Sequence, residues 1–398
     1  MTNKRVAITA VGTVSPLGIG MPETVQSLRA GRDCVGPVTR FDVSHCRCQT
    51  AAEVPDRGAQ PAASSAGRDR MHPASHMMIR ALAEALNQDP AFSPDLAVIG
   101  TTSGGMSFGE HYYRALARHS GLQKAPRWIA NYPPQKPVID ALESFGIESP
   151  CHVIANACAS GTNAIGHAFH CIRSGNHKKV LAGGYDALSE LVFVGFDSLQ
   201  AATPEKCRPF DADRSGMVLG EGAAVLALEE WESAQDRGAA ILAEITGYGI
   251  STDNHHLTQP NPSGIGARAA MEQALRSAGL DAAEVNYINA HGTATRFNDS
   301  AEAKAIAELF PDDVPVSSTK SMMGHSLGAA GAIEAVVCIA AMQNRFLPPN
   351  INFRGTGDDI LLNIVANESK PQDVRVAMSN SFGFGGTNAS VLLQAASA

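Results

Sequence analysis

Four segments in the first 230 residues have counterparts, in the same order, in residues 240–398. RVAITAVG (5–12) answers LAEITGYG (242–249). LAVIGTTSGG (96–105) answers VNYINAHGTA (285–294). HVIANACASGTNAIGHA (152–168) answers PVSSTKSMMGHSLGAAGA (315–332), and GMVLGEGAAVLALE (216–229) answers SFGFGGTNASVLLQ (381–394). A repeat of this kind constrains the fold more than any one motif, because it asks for two similar units packed against each other, as after an ancient duplication. We place the units at residues 1–238 and 239–398. A chain of 398 residues has the length for two fused cores or one large α/β core.

Within each unit, short apolar β-rich runs alternate with Ala-rich stretches. The runs are RVAITAVG (5–12), LAVIGTT (96–102), HVIANA (152–157), KVLAGG (179–184), ILAEITGYG (241–249), VNYINA (285–290), VPVSST (314–319) and VRVAMSNS (374–381). Between them, residues 73–86, 266–279 and 299–310 carry helical periodicity. This alternation predicts an α/β fold with buried strands. Residues 51–70, rich in Ala, Gly, Pro, Ser and Arg, read as an exposed loop.

Composition excludes several classes. Hydrophobic residues make up 44% and charged residues 18%, the balance of a globular protein. The net charge is -8 with no basic tract, which argues against general nucleic-acid binding. The N-terminus lacks the apolar core of a signal peptide, and no uninterrupted apolar run reaches the ~18 residues of a membrane span. The eight cysteines form no paired framework, and Cys46 and Cys48 lack both CxxC spacing and an answering pair. A cytoplasmic protein with reduced thiols, and without a metal site, is expected.

Cys158 stands between an apolar strand and the small-residue helix ASGTNAIGHAFHCIRSG. A thiol on a sharp strand-to-helix turn meets unpaired N–H groups and partial positive charge, which favour the reactive thiolate. A buried inert cysteine is the other reading. His291 (NAHGTATRFND) and His325 (TKSMMGHSLGAAGA) also follow strand ends, where α/β sites assemble. Each alone can be structural. Together with Cys158 they describe a thiol and two imidazoles able to donate to a developing enolate or oxyanion. The GFGGTN turn (383–388) supplies backbone N–H groups and lacks the strand–GxGxxG–helix setting of a dinucleotide loop. Lys320 and Glu334 flank His325 in sequence. Asp299 and Glu302 open the helix after His291 and read as a helix cap or a supporting ion pair. Thr293 and Thr295 can bond a substrate arm or merely their own turn.

At these residues the sequence resembles the β-ketoacyl-acyl carrier protein synthases, the decarboxylating Cys-His-His type. The resemblance rests on NACASG around Cys158, DADRSGMVLGEGAA (211–224), NAHGTAT around His291, STKSMMGHSLGAAGAIEA around His325 and SNSFGFGGTN near the end. It spans nearly the whole chain in family order. It implies a thiolase-like fold, a five-layer α-β-α-β-α sandwich with two duplicated halves. It also implies an acyltransferase in which Cys158 takes an acyl group from a carrier thioester. The N–H groups of Cys158 and Phe384 would form the oxyanion hole, and His291 and His325 would assist decarboxylation of malonyl carrier protein. Lys320 and Glu334 match a supporting pair. Phe384 matches a gate beside Gly385, and Thr293 and Thr295 match contacts to the phosphopantetheine arm. No cofactor is implied beyond the phosphopantetheine on the carrier. The implied partners are an acyl carrier protein and a second subunit, as a homodimer or as a heterodimer with a chain-length-factor-like chain. KVLAGG and the helix after Cys158 are the expected dimer contacts.

The sequence departs from the family at Arg296, Phe297 and Asn298, where a Pro-Gly pair is common. It departs again at Ser103, a position that often carries a bulky aliphatic group facing the acyl pocket. These departures leave fatty-acid, polyketide and aryl polyene synthesis all open. Arg68, Arg70 and Arg208 can form a basic patch for an acidic carrier or stand as ordinary solvated arginines. A silent chain-length factor would lack the cysteine. A degradative thiolase would need a second catalytic cysteine, and Cys338 lies within the helix-like AIEAVVCIAAM. A non-catalytic binding module explains none of the three site residues.

Overall fold

The computed structural model describes residues 4–55 and 71–396. Arg68, Arg70 and most of the expected 51–70 loop lie outside the described residues. The strands form where the apolar runs lie. Val6–Ser15 is buried along its whole length and Gly222–Glu230 nearly so. Strands this apolar need cover on both faces.

One mixed sheet contains both halves of the repeat. The N-terminal half runs from its edge as Cys151–Ile154, Leu96–Gly100, Lys179–Asp186, Gly222–Glu230 and Val6–Ser15. The C-terminal half runs as Pro315–Ser317, Tyr287–Asn289, Val376–Gly383, Thr387–Ala395 and Ala243–Thr252, with the short Asn363–Ile364 outside Pro315–Ser317. Numbered along the chain, the five main strands of each half lie in the order 3-2-4-5-1. Both halves also have the same pairing, with strand 2 parallel to strands 3 and 4, and strand 5 antiparallel to strands 4 and 1. The halves join where Val6–Ile8 pairs antiparallel with Ala243–Ile245. The four sequence correspondences therefore fall on topologically equivalent strands.

Helices supply the cover in three layers. Pro73–Gln88 and Lys136–Ser144 pack together outside the N-terminal half-sheet. Ile265–Ala278, with Arg296–Leu309 against it, packs outside the C-terminal half-sheet. Ser160–Arg173 and Ala330–Asn344 lie between the half-sheets and touch both. The layers thus alternate α-β-α-β-α.

The middle pair approach closely at small residues. A Cβ on Gly161 would lie 2.7 Å from the carbonyl oxygen of Gly328, and one on Gly331 would lie 2.0 Å from Thr162 Oγ1. Every residue from Ala330 to Met342 is buried, Glu334 included, as expected of a helix apolar all round at the centre of a large core. Leu327–Asn344 is long and apolar enough to cross a membrane by composition, but 89% of it is buried inside the protein.

KVLAGG does not lie where a dimer contact would need it. Lys179–Asp186 has a strand on each side, Leu96–Gly100 and Gly222–Glu230, so its hydrogen bonds are already taken. The free edge of this half is Cys151–Ile154.

Candidate active site

Cys158 sits four residues past the edge strand, at the entry to Ser160–Arg173. Ala157, just before it, is held at φ 56 in the left-handed region, a strained turn that non-glycine residues adopt when their surroundings impose it. Ser160 imposes it here. Its Oγ accepts the N–H of Asn156 at 2.9 Å and donates to the Ala157 carbonyl at 2.5 Å. The glycine-rich turn comes up against this elbow: a Cβ on Gly383 would stand 3.2 Å from the Cys158 nitrogen. The backbone N–H groups of Phe384 and of Cys158 itself are near enough to the sulfur to pull its pKa down.

The expected resting thiolate is not what the environment favours. Cys158 is buried, and that burial pushes the thiol up to about 12, against the lowering pull of Lys320 and the two N–H groups. Removing a thiolate from water costs more than these donors return.

His325 follows the short helix Lys320–Met323 and Gly324, whose φ of 66 reverses the chain. It is pinned by bonds from its N–H to the Val218 carbonyl (2.7 Å) and from the Gly220 N–H to its own carbonyl (2.9 Å). The Leu327 N–H donates to its Nδ1 at 3.3 Å. That assigns the proton to Nε2, which has no partner within the described protein.

His291 follows Tyr287–Asn289. Glu302 holds its loop by accepting the N–H of His291 and the N–H of Gly292, each at 2.8 Å, and Asn380 Nδ2 at 3.2 Å. The two imidazoles meet edge to face, 5.2 Å between centroids, with Phe382 against His291 at 5.8 Å. Burial, and after it the Lys320 charge, hold both well below the usual imidazole range, so both are neutral at pH 7. Lys320 Nζ donates to Glu334 Oε1, with both residues buried. Burial raises the Glu334 carboxyl to about 7 in spite of that partner.

Cys158, His291 and His325 line one cavity of about 260 Å³, together with Thr293, Thr295, Phe382, Gly383 and Phe384. Thr293 and Thr295 bond each other through their hydroxyls at 2.9 Å. Gly385 shares the turn at φ 83 and donates its N–H to the Leu257 carbonyl, but it does not line the cavity.

Three expectations need revision. Ser103 does not face this cavity: its N–H and Oγ both donate to Asp186, at 2.9 and 2.6 Å. Asp299 and Glu302 do not cap their helix, whose N-cap residue Thr295 makes no side-chain capping bond to it. Glu302 reaches back to the His291 loop instead. Asp299 accepts the Phe210 N–H at 2.8 Å, and burial raises its carboxyl to about 6. Arg208 is buried and paired with Glu205 at 3.1 Å, so it is not part of an open basic patch.

Asp186 went unnoticed in the sequence. It is fully buried and also accepts Thr101 Oγ1 (2.9 Å), the Thr102 N–H (2.8 Å) and the Gly328 N–H (2.7 Å). It thereby ties the loop after Leu96–Gly100 to the turn after His325. A carboxylate closing the apolar run KVLAGGY was the available signal.

Comparison with known proteins agrees with this geometry. The sequence profile described as "Beta-ketoacyl synthase, N-terminal domain" matches residues 3–234, and "Beta-ketoacyl synthase, C-terminal domain" matches residues 242–354. The 3-oxoacyl-[acyl-carrier-protein] synthase 2 of Synechocystis is 37% identical, over 98% of this chain and 97% of its own length. Among solved structures, the ishigamide ketosynthase/chain length factor superposes with a TM-score of 0.92 at 35% identity, covering 99% of this chain and 100% of that one. A type II polyketide acyl-carrier protein in complex with its ketosynthase, bound to the hexaketide, provides a match with a TM-score of 0.90 at 25% identity, covering 99% and 100%. With family profiles matching both halves and a relative 37% identical over nearly the whole chain, this chain, which carries a thiol and two imidazoles on one cavity, belongs to the β-ketoacyl synthase family.

Proposed function

We propose that the chain is a decarboxylating β-ketoacyl-acyl carrier protein synthase that extends an acyl group held on Cys158. The observation that carries this reading is the convergence of Cys158, His291 and His325 on one cavity. In the first step, Sγ of Cys158 attacks the carrier thioester. The new S–C bond replaces the carrier's, and the carrier sulfur leaves with the thiol proton. The N–H groups of Cys158 and Phe384 stabilise the tetrahedral oxyanion. A resting thiol suits this exchange, because no unpaired buried anion has to wait for substrate.

Malonyl carrier protein then occupies the cavity. Its C–C bond to the carboxylate breaks, carbon dioxide leaves, and the electron pair becomes an enolate. The Nε2–H of neutral His325 donates to that enolate oxygen, with His291 beside it. The enolate carbon attacks the acyl thioester, the Cys158 sulfur is expelled, and a proton from solvent restores the thiol. Covalent catalysis thus splits one hard step into two. Lys320 and Glu334 hold the charge balance under the imidazoles, Thr293 and Thr295 flank the arm, and Glu302 and Asp299 fix the loop that carries His291. The chemistry calls for no resident metal or organic cofactor. We place the protein in the cytoplasm, with residues 1–238 and 239–398 as its two units, in fatty-acid or in polyene or polyketide synthesis.

A second reading is favoured by a specific feature: the chain acts only beside a chain-length-factor-like subunit. The edge strand Cys151–Ile154 is open, and Tyr113 (73% exposed), Ile129 (49%), Tyr132 (45%) and Leu191 (58%) line a shared apolar groove. The ishigamide relative is a ketosynthase/chain length factor.

Acyl carrier proteins bearing short saturated, long saturated and unsaturated groups test the proposal. Intact-protein mass reports loading, and malonyl carrier protein is then added. Loading that disappears in Cys158→Ala, followed by malonyl-dependent elongation, is expected. Absence of loading by the isolated chain and by the chain with a partner subunit sinks the reading. Loading that needs the partner selects the second form of it.

A further inference from the structure

We infer that Arg296 binds the phosphodiester of the carrier's phosphopantetheine arm, and is therefore a substrate-positioning residue. This rests on the carrier-thioester reading above. Among the described residues that line the Cys158 cavity, Arg296 is the one Lys or Arg side chain. It is exposed, and its guanidinium has no hydrogen-bond or ion-pair partner among the described residues. The one carboxylate in the same lining, Asp253, is already engaged. Its Oδ1 accepts Asn388 Nδ2 at 2.8 Å and its Oδ2 accepts the Asn261 N–H at 3.0 Å. The cavity mouth thus offers one uncommitted positive charge and no uncommitted negative one.

The order of groups matches the order of the ligand. From the bottom of the cavity outward the wall runs His291 (2% exposed), Thr293 (3%), half-buried Thr295 and exposed Arg296. From its thioester outward, a phosphopantetheine arm presents two amides and then a phosphate. With the thioester at Cys158, between Phe384 and the imidazoles, the amides pass the two threonine hydroxyls. The phosphate then arrives where the guanidinium stands. A planar guanidinium can meet a phosphate with two parallel N–H bonds, which a Lys cannot do. The rim contact fixes how far the arm enters, and hence where the thioester carbon sits relative to Sγ.

Two small acyl donors test this without a carrier protein. One is an S-acyl phosphopantetheine. The other is the S-acyl pantetheine with the same acyl group and no phosphate. Transfer to Cys158 is followed by intact mass as kcat/KM. The native chain should prefer the phosphorylated donor by about tenfold or more, the worth of one charge-assisted hydrogen bond. Arg296→Ala should erase the preference through slower transfer from the phosphorylated donor, and Arg296→Lys should retain part of it. Arg276→Ala, on the outer helix Ile265–Ala278, should keep the preference intact. Equal use of both donors by the native chain, or an Arg296→Ala variant slowed alike on both, overturns the inference and leaves Cys158 as the acyl acceptor. If neither donor loads, Arg296 has no independent hold on the arm and the inference fails. Loading from intact acyl carrier proteins then decides separately whether the Cys158 reading stands.

Discussion

The two imidazoles are the residues whose protonation state matters most, and both are held neutral by burial next to Lys320. Their proton affinity lies well below the ordinary 6.5 of histidine, so they remain neutral donors as pH falls through that value. Carbon dioxide release from malonyl carrier protein by Cys158→Ala should therefore be level between about pH 8 and pH 6. A fall centred near 6.5 would mean that the imidazoles titrate as if in water. The same depression has a stability sign: below 6.5 the unfolded chain binds protons that the folded one refuses, so stability drops as pH falls.

Lys320 and Glu334 give a second test. Lys320→Met leaves a carboxylate stranded in the core, at a cost of about 3–5 kcal/mol. Protonation of Glu334 relieves that cost, so the loss in urea midpoint should be larger at pH 8 than at pH 6. Lys320→Met with Glu334→Leu should recover most of it at both pH values. The sequence pointed to all of these residues through their places at strand ends and in a matched motif. It did not reveal that burial would outweigh the N–H groups at Cys158, because desolvation depends on what packs above the turn from distant parts of the chain. Asp186 and the true role of Glu302 stayed hidden for the same reason. Their partners lie elsewhere in the sequence, at Thr101–Ser103 with Gly328, and at His291, Gly292 and Asn380.

At the scale of elements, strand and helix positions were legible and their neighbours were not. Pro73–Gln88, Ile265–Ala278 and Arg296–Leu309 fall within a few residues of the periodic stretches read from sequence. KVLAGG, expected at a dimer contact, lies inside the sheet, because an apolar run reports burial and not sheet order. The close approach of the middle helices depends on Gly161 and Gly331, whose missing Cβ atoms make room for Gly328 and Thr162. Gly331→Ala would place its methyl group 2.0 Å from Thr162 Oγ1. It should cost about 1–3 kcal/mol from overpacking, read as a lowered thermal midpoint. Unchanged stability would mean that these helices can slide apart. The mutation should also slow acyl loading, since Ser160–Arg173 carries the elbow under Cys158 and Ala330–Asn344 follows the turn of His325.

At the scale of the whole molecule, Cys151–Ile154 is the end strand of the N-terminal half-sheet and has no strand on its outer side among the described residues. The N–H groups of Ala97 and Thr101 bond the carbonyls of Pro150 and Ile154. In a parallel ladder the intervening odd-numbered residues of that edge strand then point outward. Val153→Pro removes an outward N–H, and an edge strand tolerates that loss. The variant should fold with an unchanged far-ultraviolet circular dichroism spectrum and run as a single chain in light scattering, while the native chain associates through this edge. Association that survives the proline would place the contact on another face. The duplicated architecture was legible from four ordered segments, but which edges meet was not, because strand order is set by chain crossings that leave no local signature.

The matching strand order has a historical consequence. Cys158 and His325 each follow the third strand of their half, so they occupy the same place in two copies of one design. An assembly of identical single units would be bound to put the same residue at both places, thiol facing thiol or imidazole facing imidazole. Joining the copies into one gene released that bond. One copy could keep the nucleophile while the other took up the proton donor, and a division of labour that symmetry forbids became open to selection.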